Sequence, residues 1–279
     1  MIANEQLRLK DYKPSKTKVG SALNDLLYSL TNWRIFTMLG SNDIKKRYSR
    51  SRIGQFWLTI SLAVNIGVMG FVWAYLFKMP VKEYLPFLAC GTIIWAYIST
   101  CINEGTTLYV TATPYLQALN LPKLTYVNSL FVRNIIVLFH NLLVLIPVFL
   151  ICSCNISIGN VEAALAGFIV ITLFLYPTVI ILSLIGLRFR DFANIMTSLM
   201  QIIFYLTPIM WKVSLMPTRF QDYLILNPFA VLLSLCRNPL FSTEIPANYW
   251  LAAGIYIILA WVVAFPLYSK FRSRISYWL

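Results

Sequence analysis

The sequence predicts an all-α integral membrane protein with six transmembrane helices. An N-terminal amphipathic helix lies at the membrane interface, and a re-entrant external helix pair precedes the last span. Three observations carry this prediction. Of the 279 residues 59% are hydrophobic and 12% charged, with a mean hydropathy of +0.70, about half the charge of a soluble domain. Long uncharged runs recur, and the clearest, 53–77, crosses a ~30 Å hydrocarbon core at about 1.5 Å per helical residue. Cations gather at the ends of those runs: eleven of the 23 Lys and Arg precede Ile53, and others sit at Arg188/Arg190 and Lys270/Arg272/Arg274. This is the positive-inside pattern of a multi-pass protein with both termini cytoplasmic. It accounts for the net charge of +13, so no nucleic-acid partner is expected.

Residues 1–20 are polar and basic and read as a cytoplasmic tail. Over 21–44, Leu23, Leu26, Leu27, Leu30, Trp33 and Leu39 recur near helical spacing among Asn24, Asp25 and Arg34. That stretch is too polar to span and is predicted to be a helix in the interface. The first span, 53–77, follows the basic cluster 45–52. Its Ala63, Gly67, Gly70 and Ala74 fall at i, i+4, i+7 and i+11, a stripe of small residues suited either to intrachain packing or to a subunit or pore seam.

The second span is predicted at 84–102. A cytoplasmic segment follows at 103–125, amphipathic and broken by Pro114 and Pro122. In the third span, 126–152, Arg133 is expected to snorkel to the cytoplasmic surface. His140, beside Asn141, is either an interhelical hydrogen-bonding residue or a functional one. The fourth span, 161–187, carries Pro177 as an expected kink, and the turn 188–191 leads into the fifth, 192–211. Segment 213–247 has an apolar part too short to cross, interrupted at Asn227-Pro228. It is expected to enter the outer leaflet and return, shielded by protein or facing water, as a pore mouth or gate. The sixth span is 249–268.

Function classes are narrowed by what is missing. There is no Gly-x-x-x-x-Gly-Lys phosphate loop, so the chain is not the ATP-hydrolysing element. No acid falls deep inside a predicted span, Glu162 lying at the outer edge of the fourth, which argues against an ion-coupled carrier or a carboxylate-dependent membrane enzyme. The five cysteines have no zinc-finger spacing and there is one histidine, so no metal site is expected. Cys152, Cys154 and Cys236 fall near outer membrane ends, as a disulfide pair or as plain apolar cysteines. A passive conduit or scaffold driven from outside remains. Phe71, Trp73, Tyr75 and Phe77 on the first span, with Phe204, Tyr205 and Trp211 on the fifth, are denser than interfacial anchoring needs. Flat rings with polar tips suit the apolar faces of sugars, a sequence-tolerant track for a polysaccharide.

Four motifs in order on this layout carry a resemblance. They are Lys46-Arg47-Tyr48-Ser49-Arg50-Ser51-Arg52-Ile53-Gly54-Gln55-Phe56-Trp57, Asn103-Glu104-Gly105, Arg188-Phe189-Arg190-Asp191 and Asn227-Pro228-Phe229. Over about 21–275 the chain resembles ABC-2 type transporter permeases, most strongly the O-antigen, capsule and teichoic acid exporters. The resemblance implies a non-enzymatic transport subunit working as a homodimer with two copies of a separate ATPase. ATP and Mg would be held by that partner, with no cofactor on this chain. The implied cargo is a polysaccharide on undecaprenyl diphosphate or another lipid, O-antigen first, crossing the cell inner membrane.

It further implies ATPase coupling through Asn103, Glu104, Tyr109 and Gln117 and through Arg188, Arg190 and Asp191. Asn227, Pro228 and Phe229 would belong to the external gate, with the first and fifth spans lining the channel. Arg47, Arg50 and Arg52 lie where a lipid-linked diphosphate would be captured, although plain positive-inside anchoring accounts for them equally. Two competing readings remain. A small-molecule exporter of the same superfamily needs fewer conduit aromatics. A glycan-modifying membrane enzyme needs a catalytic His–acid pair, and His140 has no acidic neighbour in sequence.

Overall fold

The computed structural model describes residues 17–48, 54, 56–153 and 157–279. The expectations for Arg50, Arg52, Cys154 and the tail up to residue 16 lie outside these described residues. Within them the chain is helical, without strands.

Helix α1 (Lys18–Thr31) starts at Thr17, whose side chain accepts from the Gly20 amide. It ends at Asn32, whose side-chain amide donates back to the Tyr28 carbonyl at 2.9 Å. Asn competes in this way for helix carbonyls, and α2 (Trp33–Tyr48) begins on the next residue. The single interface helix expected over 21–44 is therefore two helices.

The first span is α3 (Phe56–Leu76) and the second is α4 (Val81–Thr111), 31 residues long. Residues 103–111 continue α4, so the helix does not break where the second span was expected to end. The polar pair Asn103-Glu104 reads as an exit, but Gly105, Thr106, Leu108 and Tyr109 remain buried against neighbouring helices. Only α5 (Thr113–Ala118) is separate, with Pro114 in its first turn, where a missing amide proton does no harm.

The third span is α6 (Leu124–Leu142) followed by α7 (Leu145–Cys152), and the fourth is α8 (Ile158–Arg188), which runs through Pro177 without ending. Helix α9 (Phe192–Leu206) has 15 residues and stops short of the expected boundary at 211. The cause is Pro208, which disfavours helical geometry in the residue before it; Thr207 is extended at φ −96, ψ 136. After the short α10 (Thr218–Gln221), α11 (Pro228–Arg237) is capped by Asn227, whose side chain accepts from the Phe229 and Ala230 amides. The last span is α12 (Ala247–Phe271), trailed by α13 (Ile275–Trp278).

Five of these units are long and apolar enough to cross a membrane: α3, α4, α6 with α7, α8, and α12 with its extension. Segments 219–226 and 228–241 meet at 97° and make a sixth if counted as one broken span. This is the bend expected at Asn227-Pro228.

Helix α4 is the centre of the bundle, packed by α3, α6, α7, α8, α9 and α11. Two glycines on α8 set how closely it meets its neighbours. A methyl on Gly186 would overlap the Thr106 carbonyl of α4, and one on Gly167 would overlap the Leu235 backbone of α11.

Candidate coupling and conduit surfaces

Two ion clusters organise the end of the bundle that carries α1 and α2. In the first, Asp25 on α1 is fully buried. The Tyr268 hydroxyl donates to it at 2.5 Å, and Arg272 donates through both Nη2, at 2.7 Å, and Nε. A buried carboxylate needs such complete pairing. It fixes α1 to the C-terminal end of α12.

The second cluster joins α2, α4 and α6. Arg133 bridges Asp43 at 3.3 Å and Glu104 at 2.6 Å, and Arg47 reaches Glu104 at 2.8 Å. Lys46 donates to the Tyr115 hydroxyl at 2.5 Å, which in turn donates to Asp43 at 3.4 Å. The bond to Tyr115 raises the Lys46 pKa above its ordinary value. Asp43, Arg47, Tyr115 and Arg133 border a polar cavity of ≈ 190 Å³. Arg133 thus turns inward to two acids instead of snorkelling, because α2 and α4 bring carboxylates within its reach.

The expected coupling residues divide. Gln117 on α5 and Arg188, Arg190 and Asp191 between α8 and α9 are exposed. The Arg188 guanidinium lies over the Phe189 and Trp278 rings, 5.8 and 5.9 Å from their centroids. Tyr109 is buried in the core and offers nothing to a partner, because the helix that carries it is the interior end of α4. Asn103 is half-buried and Glu104 is occupied by its two arginines. Arg47, expected at a lipid diphosphate, is held by Glu104 with 47% of its side chain exposed.

The expected conduit aromatics divide as well. On α3, Phe71 and Tyr75 are 57% and 68% exposed, with ring centroids 4.8 Å apart. Trp73 and Phe77 stack on the opposite side at 5.4 Å, and Phe77 meets Tyr84 of α4. On α9, Tyr205 is exposed, whereas Phe204 turns toward Trp95 of α4. Trp211 lies past the end of α9 and donates from its indole to the Tyr205 carbonyl at 3.1 Å.

The small-residue stripe splits too. Gly70 and Ala74 are buried, Gly70 against Leu85 of α4; Ala63 is half-buried; Gly67 is exposed with nothing near its Cβ position. His140 Nδ1 sits 2.7 Å from the Ile136 carbonyl of its own helix, and its ring meets the edge of Phe56 on α3. Its neighbour Asn141 makes a hydrogen bond from α6 to α3, accepting from Thr59 at 3.4 Å.

At the bend, the Asn227 amide donates to Thr207 at 3.2 Å, and Phe229 packs edge-on to Trp95 and Phe174. Cys236 is buried, its thiol donating to the Ala164 carbonyl, as a plain apolar cysteine does.

Sequence reasoning missed two residues. Asp25 looked like one polar position among many on an amphipathic helix. Arg237, 2% exposed on α11, donates to the Pro208 carbonyl at 2.7 Å and lies 3.9 Å over the Phe87 ring. A lone cation ending an apolar segment was the available signal.

No family model matches the chain. It is similar to two proteins of Klebsiella pneumoniae, each an O-antigen export system permease protein RfbA. They are 21% and 22% identical over 260 residues, covering 91% of this chain and 95% of each relative. A protein of the same name from Myxococcus xanthus is 21% identical over 243 residues, 85% of this chain and 90% of the relative. With this likeness running through most of the chain, the resemblance to ABC-2 type permeases of the O-antigen export branch is borne out.

Proposed function

We propose that this chain is the membrane-spanning subunit of an ABC exporter that carries a lipid-linked O-antigen polysaccharide across the inner membrane. In this reading it is a homodimer, both termini cytoplasmic, joined to two copies of an ATPase that holds ATP and Mg. The observation that carries the reading is the set of exposed rings on α3 and α9, where Phe71, Tyr75 and Tyr205 stand 57%, 68% and 69% exposed. The likeness to O-antigen export permeases supports it.

Flat phenyl and phenol rings bind the apolar faces of sugars without requiring a fixed sequence. The exposed Gln117 and the turn carrying Arg188, Arg190 and Asp191 receive the ATPase. Motion there reaches the conduit through α4 and α8, which are locked at Gly186. Arg47 exchanges Glu104 for the lipid diphosphate at the cytoplasmic leaflet.

Two measurements test this. The tagged chain purified from native membranes carries a stoichiometric ATP-binding subunit, and Arg190→Glu with Gln117→Ala releases it. Alanine at Phe71, Tyr75 and Tyr205 lowers surface O-antigen about tenfold while the chain still inserts, since each lost ring contact is worth about 0.5 kcal/mol. Unchanged O-antigen in that triple variant overturns the conduit; a chain that purifies without an ATPase overturns the exporter.

A further inference from the structure

We propose that a seam along α4, α7 and α11 binds one anionic membrane lipid, with its phosphate held by Lys82, Lys212 and Arg237 and its hydrocarbon in the apolar cavity beneath. Two cavities define the seam. The first, ≈ 540 Å³, is bordered by those three cations and by Glu83. The second, ≈ 280 Å³, is apolar, with Cys90, Ile94 and Tyr97 among its walls.

The two are stacked on the same elements. Helix α4 gives Lys82, Pro86 and Phe87 to the polar cavity and Cys90, Ile94 and Tyr97 to the apolar one. Steps of three and four residues keep Lys82, Pro86, Cys90, Ile94 and Tyr97 on one helix face, with Phe87 at its edge. Helix α7 gives Phe149 to the apolar cavity and Cys152 to the polar one, and α11 gives Cys236 and then Arg237. From Lys82 to Tyr97 the helix rises about 22 Å, enough to run from a headgroup to the middle of a ~30 Å core. The slot is therefore cationic at its mouth and apolar below, the shape and charge of an anionic lipid.

Arg237 supplies the second observation. It is nine-tenths buried and more, yet its Nε has no hydrogen-bond partner. Buried guanidinium donors are ordinarily satisfied. Its Nη1 is taken by the Pro208 carbonyl, and one ring, Phe87, faces both Arg237 and Lys212, the latter at 5.8 Å. Among the described residues none of the three cations, nor Glu83, forms an ion pair. Three cations against one carboxylate leave a net positive mouth that a phosphate neutralises through charge-assisted hydrogen bonds.

The proposal does not depend on the transport reading, and its test needs no export. The full chain, solubilised in mild detergent, is titrated with phosphatidylglycerol or phosphatidylcholine and weighed by native mass spectrometry. Wild type retains one phosphatidylglycerol per chain, about tenfold in preference to phosphatidylcholine. The double variant Lys82→Gln/Lys212→Gln, at positions that are not buried, abolishes the preference. Leu165→Trp, at the mouth of the apolar cavity, weakens retention of both lipids. Equal retention of the two lipids by wild type, or an undiminished preference in the double variant, overturns the proposal. Displacement of phosphatidylglycerol by the same concentration of dissolved glycerol phosphate also overturns it, since the site would then hold a free anion.

Discussion

Helices α3 and α4 are consecutive, and their most apolar stretches have the same hydropathy, 1.7, yet 11% of that stretch is buried on α3 and 61% on α4. Hydropathy reports only that a segment prefers a membrane to water. In lipid, helix association depends on close packing, because lipid tails cover an apolar side chain as well as protein does. Helix α4 has the close approaches: Gly105 against Val179, and Thr106 against Gly186 of α8. Helix α3 meets α4 and α6 along one side only. Its other side, with Phe71 and Tyr75, is what the chain leaves for lipid, cargo or a second copy.

The largest effect comes from breaking α4's advantage. Gly186→Val places a branched side chain into the Thr106 backbone, which cannot turn aside as a flexible side chain would. Overpacking of this kind costs about 3 kcal/mol. Thermal unfolding in detergent, followed by tryptophan fluorescence, reads it as a lowered midpoint. The same substitution at Gly67 on α3, where nothing lies within 4 Å of the added carbon, leaves the midpoint within about 0.5 kcal/mol of wild type.

A smaller loss follows at the polar end of α4. Glu104→Gln keeps the shape but leaves Arg133, with 12% of its side chain exposed, facing Asp43 alone at 3.3 Å. Removing one partner of a partly buried network exposes the remaining charge to its desolvation cost, here about 2 kcal/mol after discounting for the 20% exposure of Glu104. Pairing Glu104→Gln with Arg133→Met recovers part of that loss in a double-mutant cycle; a strictly additive result contradicts the network.

Helix α4 also marks how far the sequence was legible. Its existence, like that of α3, α8 and α12, follows from uncharged runs with cations at their ends. Where α4 stops does not follow, because the helix leaves the apolar region near Asn103 but stays packed through Tyr109. Interior polarity there is set by tertiary partners that have no local signature. The same limit hid Asp25, whose partners Tyr268 and Arg272 are more than 240 positions away in sequence. The break at Asn227-Pro228 was legible because proline chemistry is local. The early end of α9 was written in Pro208 and was outweighed by the apolar residues that follow it. Exposure of Phe71 and Tyr75, against half-burial of Trp73 and Phe77, was beyond the sequence, which shows density of rings and not which neighbour each ring meets.

The sharpest test of the comparison lies within α3, between Gly67 and Gly70. The two are three residues apart on one small-residue stripe, but Gly70 is buried against Leu85 and Gly67 is bare. Gly70→Val forces the Leu85 side chain to another rotamer and costs about 1 kcal/mol in unfolding. Gly67→Val leaves monomer stability unchanged. If a second copy packs on the bare side, close approach there depends on the missing side chain. Gly67→Val then lowers the dimer fraction measured by light scattering on detergent-solubilised protein, while Gly70→Val leaves that fraction intact. The expected pattern is this crossed one, monomer stability moved by Gly70 and assembly moved by Gly67. A dimer fraction unmoved by Gly67→Val would assign the bare face of α3 to lipid or cargo, and the dimer contact would then have to be sought on α9.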